Sequence, residues 1–400
     1  MPRKTPGTNP SITCTELVDK VRALGPLLTE NATKSEEERR VPDETIDALR
    51  KAGVFKVAVA ERYGGYEMNL RAMVEVSAAV AEFDGGAAWV TALCNVNSWS
   101  NSLFPRAATD DIWEKNPNAL SAGVLAAEGR ARRVSGGYKL SGRWNYASGV
   151  WHADWSTLGV LVEDDAGKII DHGVVLAPRA DYQIEDVWHV AGLKGSGSNT
   201  IVVEDVFVPE HRFLSSSRIA SGEYIQDHPE NAIYRAAVVP VLCLVLVGPQ
   251  LGFGRAAVEY VRRKAAGKGI AYTTISKQTD SVAFQLQLAE AAMQVETAHL
   301  HAWRAVDEIE QYAQRGEFPE LLTRTRMRAD ATIAVRCINS ALNTLLFAHG
   351  ASAFADRNPL QRIWRDSNTG ARHAVMLPDV NLEIYGKALL GVEPQLSALL

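Results

Sequence analysis

One histidine near the end of the chain stands in a segment whose residue types could carry acid–base chemistry. His373 follows Arg372 within residues 363–374, which also contain the pair Arg365-Asp366. An imidazole with an ordinary pKa near ~6.5 can accept or donate a proton around neutral pH. Most of the nine histidines show no partner pattern, and a surface or structural role is the alternative for each of them. His373 is therefore a candidate general acid or base.

A second candidate group is a hydroxyl in an aromatic-rich segment. Residues 142–155 contain three Trp, one Tyr and Ser148. A small hydroxyl among aromatic side chains can donate a hydrogen bond in a pocket that excludes water. The alternative is that these aromatics form the core of a β-domain. Ser148 and His373 are far apart in the sequence, so only the fold could bring them together.

Glycine and serine alternate in a third segment, residues 187–200, which contains Gly-Leu-Lys-Gly-Ser-Gly-Ser. Glycines let the backbone approach a ligand closely, and serine hydroxyls with free amides can hold phosphate oxygens. An ordinary loop between two strands is the alternative. The segment is thus a candidate cofactor-binding loop.

The pattern of apolar residues predicts three regions that must position these groups. Spacings of three and four predict helices from about Thr15 to Asn116, with a helix start near Asp43. Short β-type runs and a hairpin signal at residues 135–137 predict strands from about Ala119 to Arg218. Helical spacing returns after Asn231 and predicts a bundle.

The order of these regions and several motifs resemble the acyl-CoA dehydrogenase superfamily over about residues 15–392. The motifs are residues 52–55, 192–198 and 204–209 and the Arg365-Asp366 pair. The resemblance implies a mostly α, α+β fold with three parts. These are an N-terminal helical domain (1–118), a middle β-barrel or β-sandwich domain (119–230) and a C-terminal four-helix bundle (231–400).

The catalytic glutamate of the dehydrogenases is missing from this chain. Counted from the Arg-Asp pair, it would fall at about Ala374. Some relatives place the base on the first helix of the bundle, but no acid lies between Arg235 and Glu259. The segment around His373 instead resembles the two-component aromatic hydroxylases of this fold, in which that histidine faces the flavin C4a atom and the substrate.

This second resemblance implies a set of site residues. Ser148 would hydrogen-bond flavin N5, and His373 would act as acid or base and contact the substrate. The flavin contacts would be Trp144, Asn145, Ala147, Ser148, Gly149, Leu193, Gly195, Ser196, Gly197 and Ser198. The remaining substrate contacts would be Asn97, Trp99 and Ser121. Some of these hydroxylases bind the phenolic oxygen with a histidine near Asn97, so a simple phenol fits this chain less well.

The implied function is the oxygenase component of a two-component flavin-dependent monooxygenase. It would take reduced FMN or FAD from a separate NAD(P)H:flavin reductase, form a C4a-hydroperoxide with O2 and hydroxylate a phenolic, polycyclic or indole-like substrate. The sequence has no Gly-x-Gly-x-x-Gly motif for a nicotinamide cofactor of its own. The alternatives are an acyl-CoA dehydrogenase, a sulfur- or nitrogen-oxygenating enzyme, and a non-catalytic subunit.

Composition limits the partners and the compartment. A net charge of −5 and a pI near 6.0 give no basic surface for nucleic acid, and no apolar run predicts a membrane span. Four widely spaced cysteines and a polar segment at residues 1–10 favour a reducing, cytoplasmic location and no metal site. The family resemblance and the apolar stretches 236–251 and 331–354 predict a homotetramer built through the C-terminal helices.

Overall fold

The computed structural model describes residues 12–229, 231–393 and 396–397, so the polar segment at residues 1–10 lies outside the described residues. The N-terminal part is helical, as the periodicity predicts. Its helices are α1 (Cys14–Ala23), α2 (Gly25–Glu38), α3 (Asp43–Ala52), α4 (Leu70–Ala81), α5 (Gly85–Asn101) and α6 (Arg106–Trp113). The predicted helix start near Asp43 is confirmed.

Helix α5 begins at a well-defined cap and is almost wholly buried. The Asp84 carboxylate accepts hydrogen bonds from the backbone amides of Gly86 (2.8 Å) and Ala87 (3.1 Å), which would otherwise lack partners at a helix start. Small residues at its first turns let neighbouring backbones come close, since a β-carbon at Gly86 would lie 2.8 Å from the Cα of Gly195. The capped end of α5 therefore sits against the predicted cofactor-binding loop.

The middle part forms one seven-stranded mixed sheet. Its strands are β1 (Ser121–Val134), β2 (Gly137–Ala147), β3 (Trp155–Glu163), β4 (Ile169–Pro178), β5 (Gln183–Glu185), β6 (Asn199–Pro209) and β7 (Phe213–Ser215). The order across the sheet is β5-β6-β2-β1-β3-β4-β7, and β1 runs parallel to β3. The hairpin predicted at residues 135–137 is confirmed, with Gly136 at φ 79° in the turn.

The C-terminal part is again helical. Its helices are α7 (Ser216–Ser221), α8 (Val238–Ala265), α9 (Val282–Arg315), α10 (Leu321–His349), α11 (Pro359–Gly370) and α12 (Pro378–Leu390). Helices α8, α9 and α10 pack on one another, and α12 packs on α10. The apolar stretch around residue 245 lies in the mostly buried helix α8, and Pro249 lies inside it. The domain limits at residues 118 and 230 stay predictions.

The described residues form two hydrophobic cores. The N-terminal and C-terminal helices share one core, while the sheet has its own around Tyr138 and Trp144. Helices α4 and α8 approach so closely that a β-carbon at Gly252 would lie 2.1 Å from the carbonyl oxygen of Ala78. The candidate site groups lie where the sheet meets this shared helical core.

Two described helices are long and apolar enough to cross a membrane by length and composition alone. They are Val238–Ala265 and Leu321–His349, and 78% and 56% of their most apolar windows are buried in the protein. The core helices of a folded protein pass the same test. Their burial explains the apolar composition without a membrane.

Candidate active site

Three serine hydroxyls and one indole form a continuous hydrogen-bonded chain between the sheet and helix α5. The Trp89 Nε1–H donates to Ser148 Oγ at 3.1 Å. Ser148 Oγ lies 2.6 Å from Ser198 Oγ, which lies 2.7 Å from Ser196 Oγ. All four residues are at least 96% buried. The structure thus joins Ser148 to two of the predicted flavin-loop residues.

The direction of the hydrogen bonds in this chain can reverse. If Ser196 donates to Ser198 and Ser198 donates to Ser148, the Ser148 proton is free to be donated to a ligand. If the hydrogen bonds run in the opposite direction, Ser148 donates to Ser198. Its oxygen has two lone pairs, of which Trp89 uses one, so Ser148 can still accept one more hydrogen bond. Ser148 can therefore serve as donor or acceptor toward one atom of a bound cofactor.

The backbone beside these hydroxyls adopts left-handed conformations at four positions. They are Tyr146 (φ 68°), Gly149 (φ 73°), Leu193 (φ 53°) and Gly197 (φ 53°). Such strain in non-glycine residues collects at functional sites, where the surroundings hold it. Gly149 also donates its amide to the Ser196 carbonyl at 2.9 Å, which ties the two loops together. The sequence predicted these loops as cofactor contacts, and the structure brings them together.

Tyr146 and Trp188 place aromatic surface beside the two loops that carry Ser148 and residues 193–198. Tyr146 is 71% exposed, and its ring meets the Trp188 ring edge-on at 6.1 Å between centroids. An exposed aromatic ring two residues before a buried hydroxyl offers a flat ligand a contact surface. These glycines, hydroxyls and exposed aromatic side chains have the chemistry that would hold a flat ring with polar edges, as a flavin has.

His373 also lies next to Trp89. The two ring centroids are 6.0 Å apart with a tilt of 55°. Helix α11 can end so close to the indole because Gly370 has no side chain, since a β-carbon there would lie 3.0 Å from the Trp89 ring. Trp89 thus contacts both groups that the sequence predicts as catalytic, although they come from different ends of the chain.

The environment of His373 favours the neutral imidazole. The side chain is accessible to solvent, yet burial by the surrounding protein lowers its pKa to about 4. Desolvation of the ring by the protein atoms around it disfavours the cationic form, which lowers the pKa. The Nδ1 atom accepts a weak hydrogen bond from the amide of Val375 at 3.4 Å, so Nε2 carries the proton of the neutral ring, and Nδ1 is the nitrogen that can take a proton when this bond is released.

Several predicted contacts instead have buried, satisfied side chains. Trp144 is fully buried and donates to the Gly159 carbonyl at 2.7 Å. Trp99 is fully buried and donates to the Ile233 carbonyl at 2.8 Å. For both residues the core alternative describes the observed side chain, and neither can contact a ligand without rearrangement.

The side chains of three predicted polar contacts, two for the substrate and one for the flavin, are already hydrogen-bonded within the protein. Ser121 is fully buried and accepts from Asn101 at 3.0 Å. The Asn97 amide donates to the Leu93 carbonyl at 2.8 Å, and its oxygen lies against Gly123. Asn145 is exposed, but its side chain is held by Thr200 at 2.9 Å. The roles of these three residues stay predictions.

Sequence reasoning missed Trp89 and Tyr146. Trp89 belongs to an apolar helix in which nothing marks one aromatic as functional, although its place four residues after Gly85 sets it near the capped end. Tyr146 was part of the aromatic-rich segment, but a strand pattern cannot show that its backbone turns left-handed. The described residues contain no group of three or more His, Cys, Asp or Glu that could hold a metal ion.

Comparison with known proteins decides the family. Residues 15–111 match the model of the acyl-CoA dehydrogenase N-terminal domain, and residues 244–378 match the acyl-CoA dehydrogenase C-terminal domain. The chain is 34% identical to the flavin-dependent monooxygenase oxygenase subunit HsaA of Mycobacterium tuberculosis, over 93% of this chain and 94% of the relative. The chain belongs to the flavin-dependent monooxygenases of the acyl-CoA dehydrogenase fold. The proposed resemblance and fold class are thereby confirmed.

Two further comparisons support this family assignment. The chain is 32% identical to the FADH(2)-dependent resorcinol hydroxylase oxygenase component of a Rhizobium species, over 95% of each chain. The solved structure of XiaF from a Streptomyces species with FADH2 and glycerol superposes with a TM-score of 0.93. It has 36% identity and covers 96% of this chain and 97% of that one. Reduced flavin is thus the cofactor of this family, and the dehydrogenase alternative is not favoured.

Proposed function

We propose that this monooxygenase receives reduced flavin from a separate NAD(P)H:flavin reductase and hydroxylates a fused aromatic substrate, polycyclic or indole-like. The observation that carries the proposal is the cluster in which Trp89 contacts both Ser148 and His373. A flavin ring beside Ser148 would then lie next to the only candidate acid or base that the sequence marks in this region.

The overall reaction balances with reduced flavin as the reductant. Reduced flavin supplies two electrons to O2, one oxygen atom enters the ring of the substrate, and the other leaves as water. Ser148 would hold the flavin ring through its hydroxyl, which can donate or accept a hydrogen bond. The buried hydroxyls of Ser198 and Ser196 behind it exclude water from that side. His373, which is neutral near pH 7, would take the proton that the ring or a ring hydroxyl loses.

The substrate class follows from what surrounds His373. Where the family resemblance implies a histidine for a phenolic oxygen in some relatives, the candidates in this chain are Asn97 or Ser98, and the Asn97 amide already donates one hydrogen bond to the Leu93 carbonyl. A simple phenol would then find only His373 as a proton acceptor. A fused ring, which gains more from apolar and aromatic contact, needs less polar recognition. The family contains a relative named indole-3-acetate monooxygenase, at 27% identity over 90% of this chain.

One experiment tests this function directly. The protein is mixed anaerobically with reduced flavin and then with buffer equilibrated with ¹⁸O2 that contains phenol, naphthol or indole, and the product is analysed for the label. We expect one labelled oxygen in the product of a fused substrate and little product from phenol. Turnover of an acyl-CoA without O2 incorporation, or no labelled product from any ring, would contradict the proposal.

We also propose a homotetramer, because helix α9 exposes an apolar stripe. Leu286, Met293 and Leu300 are each seven residues apart and are 64–71% exposed, and Val282 continues the stripe at 66%. Residues at this spacing lie on the same side of a helix and form a seam that a second helix can cover. A stripe of this length on a free chain would be exposed to water along three turns or more.

Replacing Met293 by glutamate should therefore reduce the particle mass below that of a tetramer at micromolar concentration, because a carboxylate would be buried in an apolar seam. Light scattering measures the mass. Gln183→Glu adds the same charge at an exposed position of strand β5 and serves as the control. A parent protein that is monomeric at this concentration would refute the assembly.

A further inference from the structure

We propose that Asp366 is a positioning residue that holds the flavin-side loop, residues 191–198, in register with the helix that leads to His373, and so keeps flavin oxidation coupled to hydroxylation. The inference rests on the proposed function, because it takes Ser148 and Ser198 to face the flavin. Asp366 itself contacts neither substrate nor cofactor in this scheme.

The first contact fixes a strained residue of the loop. Asp366 is 3% exposed, and its Oδ1 atom accepts a hydrogen bond from the Leu193 amide at 2.6 Å. Leu193 is left-handed at φ 53°, and the Trp188 indole donates to its carbonyl at 3.0 Å. Both peptide groups of a residue in an unfavourable conformation are thus held from outside the loop, which is how such a conformation persists.

The neighbouring residue holds the same loop by its backbone. A β-carbon at Gly192 would lie 2.2 Å from the Arg365 carbonyl oxygen, so loop and helix α11 are in direct contact. The Arg365 guanidinium also donates to the Ala191 carbonyl and pairs with Glu36 of helix α2 at 2.7 Å. Helix α11 therefore contacts residues 191, 192 and 193 of the loop.

The second oxygen of Asp366 faces helix α5. A β-carbon at Gly85 would lie 2.4 Å from Asp366 Oδ2, which places the carboxyl against the first residue of the helix that carries Trp89. One buried side chain consequently touches the elements that carry Trp89 and the serine loop, and it belongs to the helix that precedes His373. A loss of this contact should displace the serines relative to Trp89 and His373 and leave each element intact.

The carboxyl can change its protonation state near neutral pH. Burial raises the pKa of Asp366 to about 7; the Leu193 amide and Arg365 oppose this rise, and Glu36 and Asp84 add to it. Arg362, on the same helix, acts on Asp84. Asp366 also lines a cleft of about 800 Å³, so protons can exchange without opening the flavin site. An ionised carboxylate accepts a stronger hydrogen bond than a neutral acid, so Leu193 is held more firmly above pH 7 than below it.

Asp366→Asn tests this role, because the amide oxygen can still accept from Leu193 but cannot ionise. We expect the ratio of hydrogen peroxide to hydroxylated product to be roughly fivefold above that of the parent at pH 8.5 and to match it at pH 6, the scale of a weakened hydrogen bond.

The thermal stability of the parent should fall as the pH rises, although the loop is held more firmly. A carboxyl with a raised pKa favours the folded state at low pH, and this contribution is lost as pH rises to about 7. The Tm of Asp366→Asn relative to the parent should therefore increase between pH 5 and pH 8.

Two further variants distinguish positioning from simple structural damage. Ser367→Ala removes the adjacent buried hydroxyl, which bonds Gln250 at 2.6 Å and does not touch the loop, and it should lower Tm without changing the peroxide ratio. Asp366→Ala loses the acceptor and should raise the ratio roughly tenfold or more at every pH. If Asp366→Ala does not fold, the pH profile of Asp366→Asn decides alone.

Two results would overturn the inference. They are a pH dependence of the ratio in Asp366→Asn that equals that of the parent, and a ratio in Asp366→Ala that equals that of Ser367→Ala. If the parent protein hydroxylates none of the rings in the panel, the proposed function has failed instead. In that case the Tm comparison still reports whether Asp366 titrates near pH 7.

Discussion

Replacing His373 by alanine should reduce the rate of product formation at least about 100-fold while the protein still binds reduced flavin. A lost general acid or base costs about 10² to 10⁴ in rate. Flavin binding should survive because the contacts predicted for it, the serine chain and residues 193–198, do not involve the imidazole. Product formation in single-turnover mixing and a separate flavin titration measure the two effects. Unchanged turnover would remove His373 from the active site.

The protonation state of His373 makes this prediction sharper. With a pKa of about 4, the imidazole is neutral at pH 5–8 and enters the reaction as a base. The acid limb of kcat/KM that belongs to this group should therefore lie near pH 4 and not near 6.5. His373→Asn, which keeps a polar side chain of similar size, should fail to restore the rate. A variant with asparagine that turns over like the parent would assign His373 to packing against Trp89.

Replacing Ser148 by alanine should raise the ratio of peroxide released to product formed by roughly 5- to 150-fold, which corresponds to the loss of one hydrogen bond of ~1–3 kcal/mol. Oxygen consumption should remain high, because reduced flavin still reacts with O2. Coupling should suffer more than flavin affinity, since Ser148 supplies one hydroxyl among several contacts. An unchanged ratio would mean that this hydroxyl does not address the flavin ring.

Trp89→Phe distinguishes the role of the Ser148 hydroxyl from that of the indole N–H that orients it. Phenylalanine keeps an aromatic ring against His373 but removes the indole N–H that donates to Ser148 at 3.1 Å. Ser148 would then lose one of the two partners that orient it, and the peroxide ratio should rise by less than in Ser148→Ala. A larger rise in Trp89→Phe than in Ser148→Ala would instead point to a direct role of the indole.

Sequence patterns predict the parts of the proposed site that depend on local chemistry. The run Gly195-Ser196-Gly197-Ser198 predicts a ligand-binding loop by composition, and Ser148 and His373 stand in motifs whose residues match a known family. The orientation of aromatic side chains could not be read in the same way. Trp144 precedes a register shift in the pairing of β2 with β6, and the backbone turns left-handed at Tyr146, so strand alternation gives no guide to which ring faces the ligand.

The contacts of Asp366 show a different limit. Its sequence neighbourhood marks a family motif, but the three elements that it joins lie in three separate parts of the chain. Only the packing of Gly85 and Leu193 against one carboxyl reveals why an acid is needed there. Long-range coincidences of this kind leave no periodic signal in a single sequence.

The shared core of the first and last helices also affects how the protein is made. Helix α4 packs closely on α8, which is synthesised only after the whole sheet has emerged. At a translation rate of ~5–20 residues per second, the apolar face of α4 remains without α8 for roughly 10–40 s after its own synthesis. During that time the nascent chain presents a surface that a chaperone can bind or another chain can trap. Yield in cells should therefore respond to chaperone supply and to growth temperature more than the stability of the finished protein would suggest.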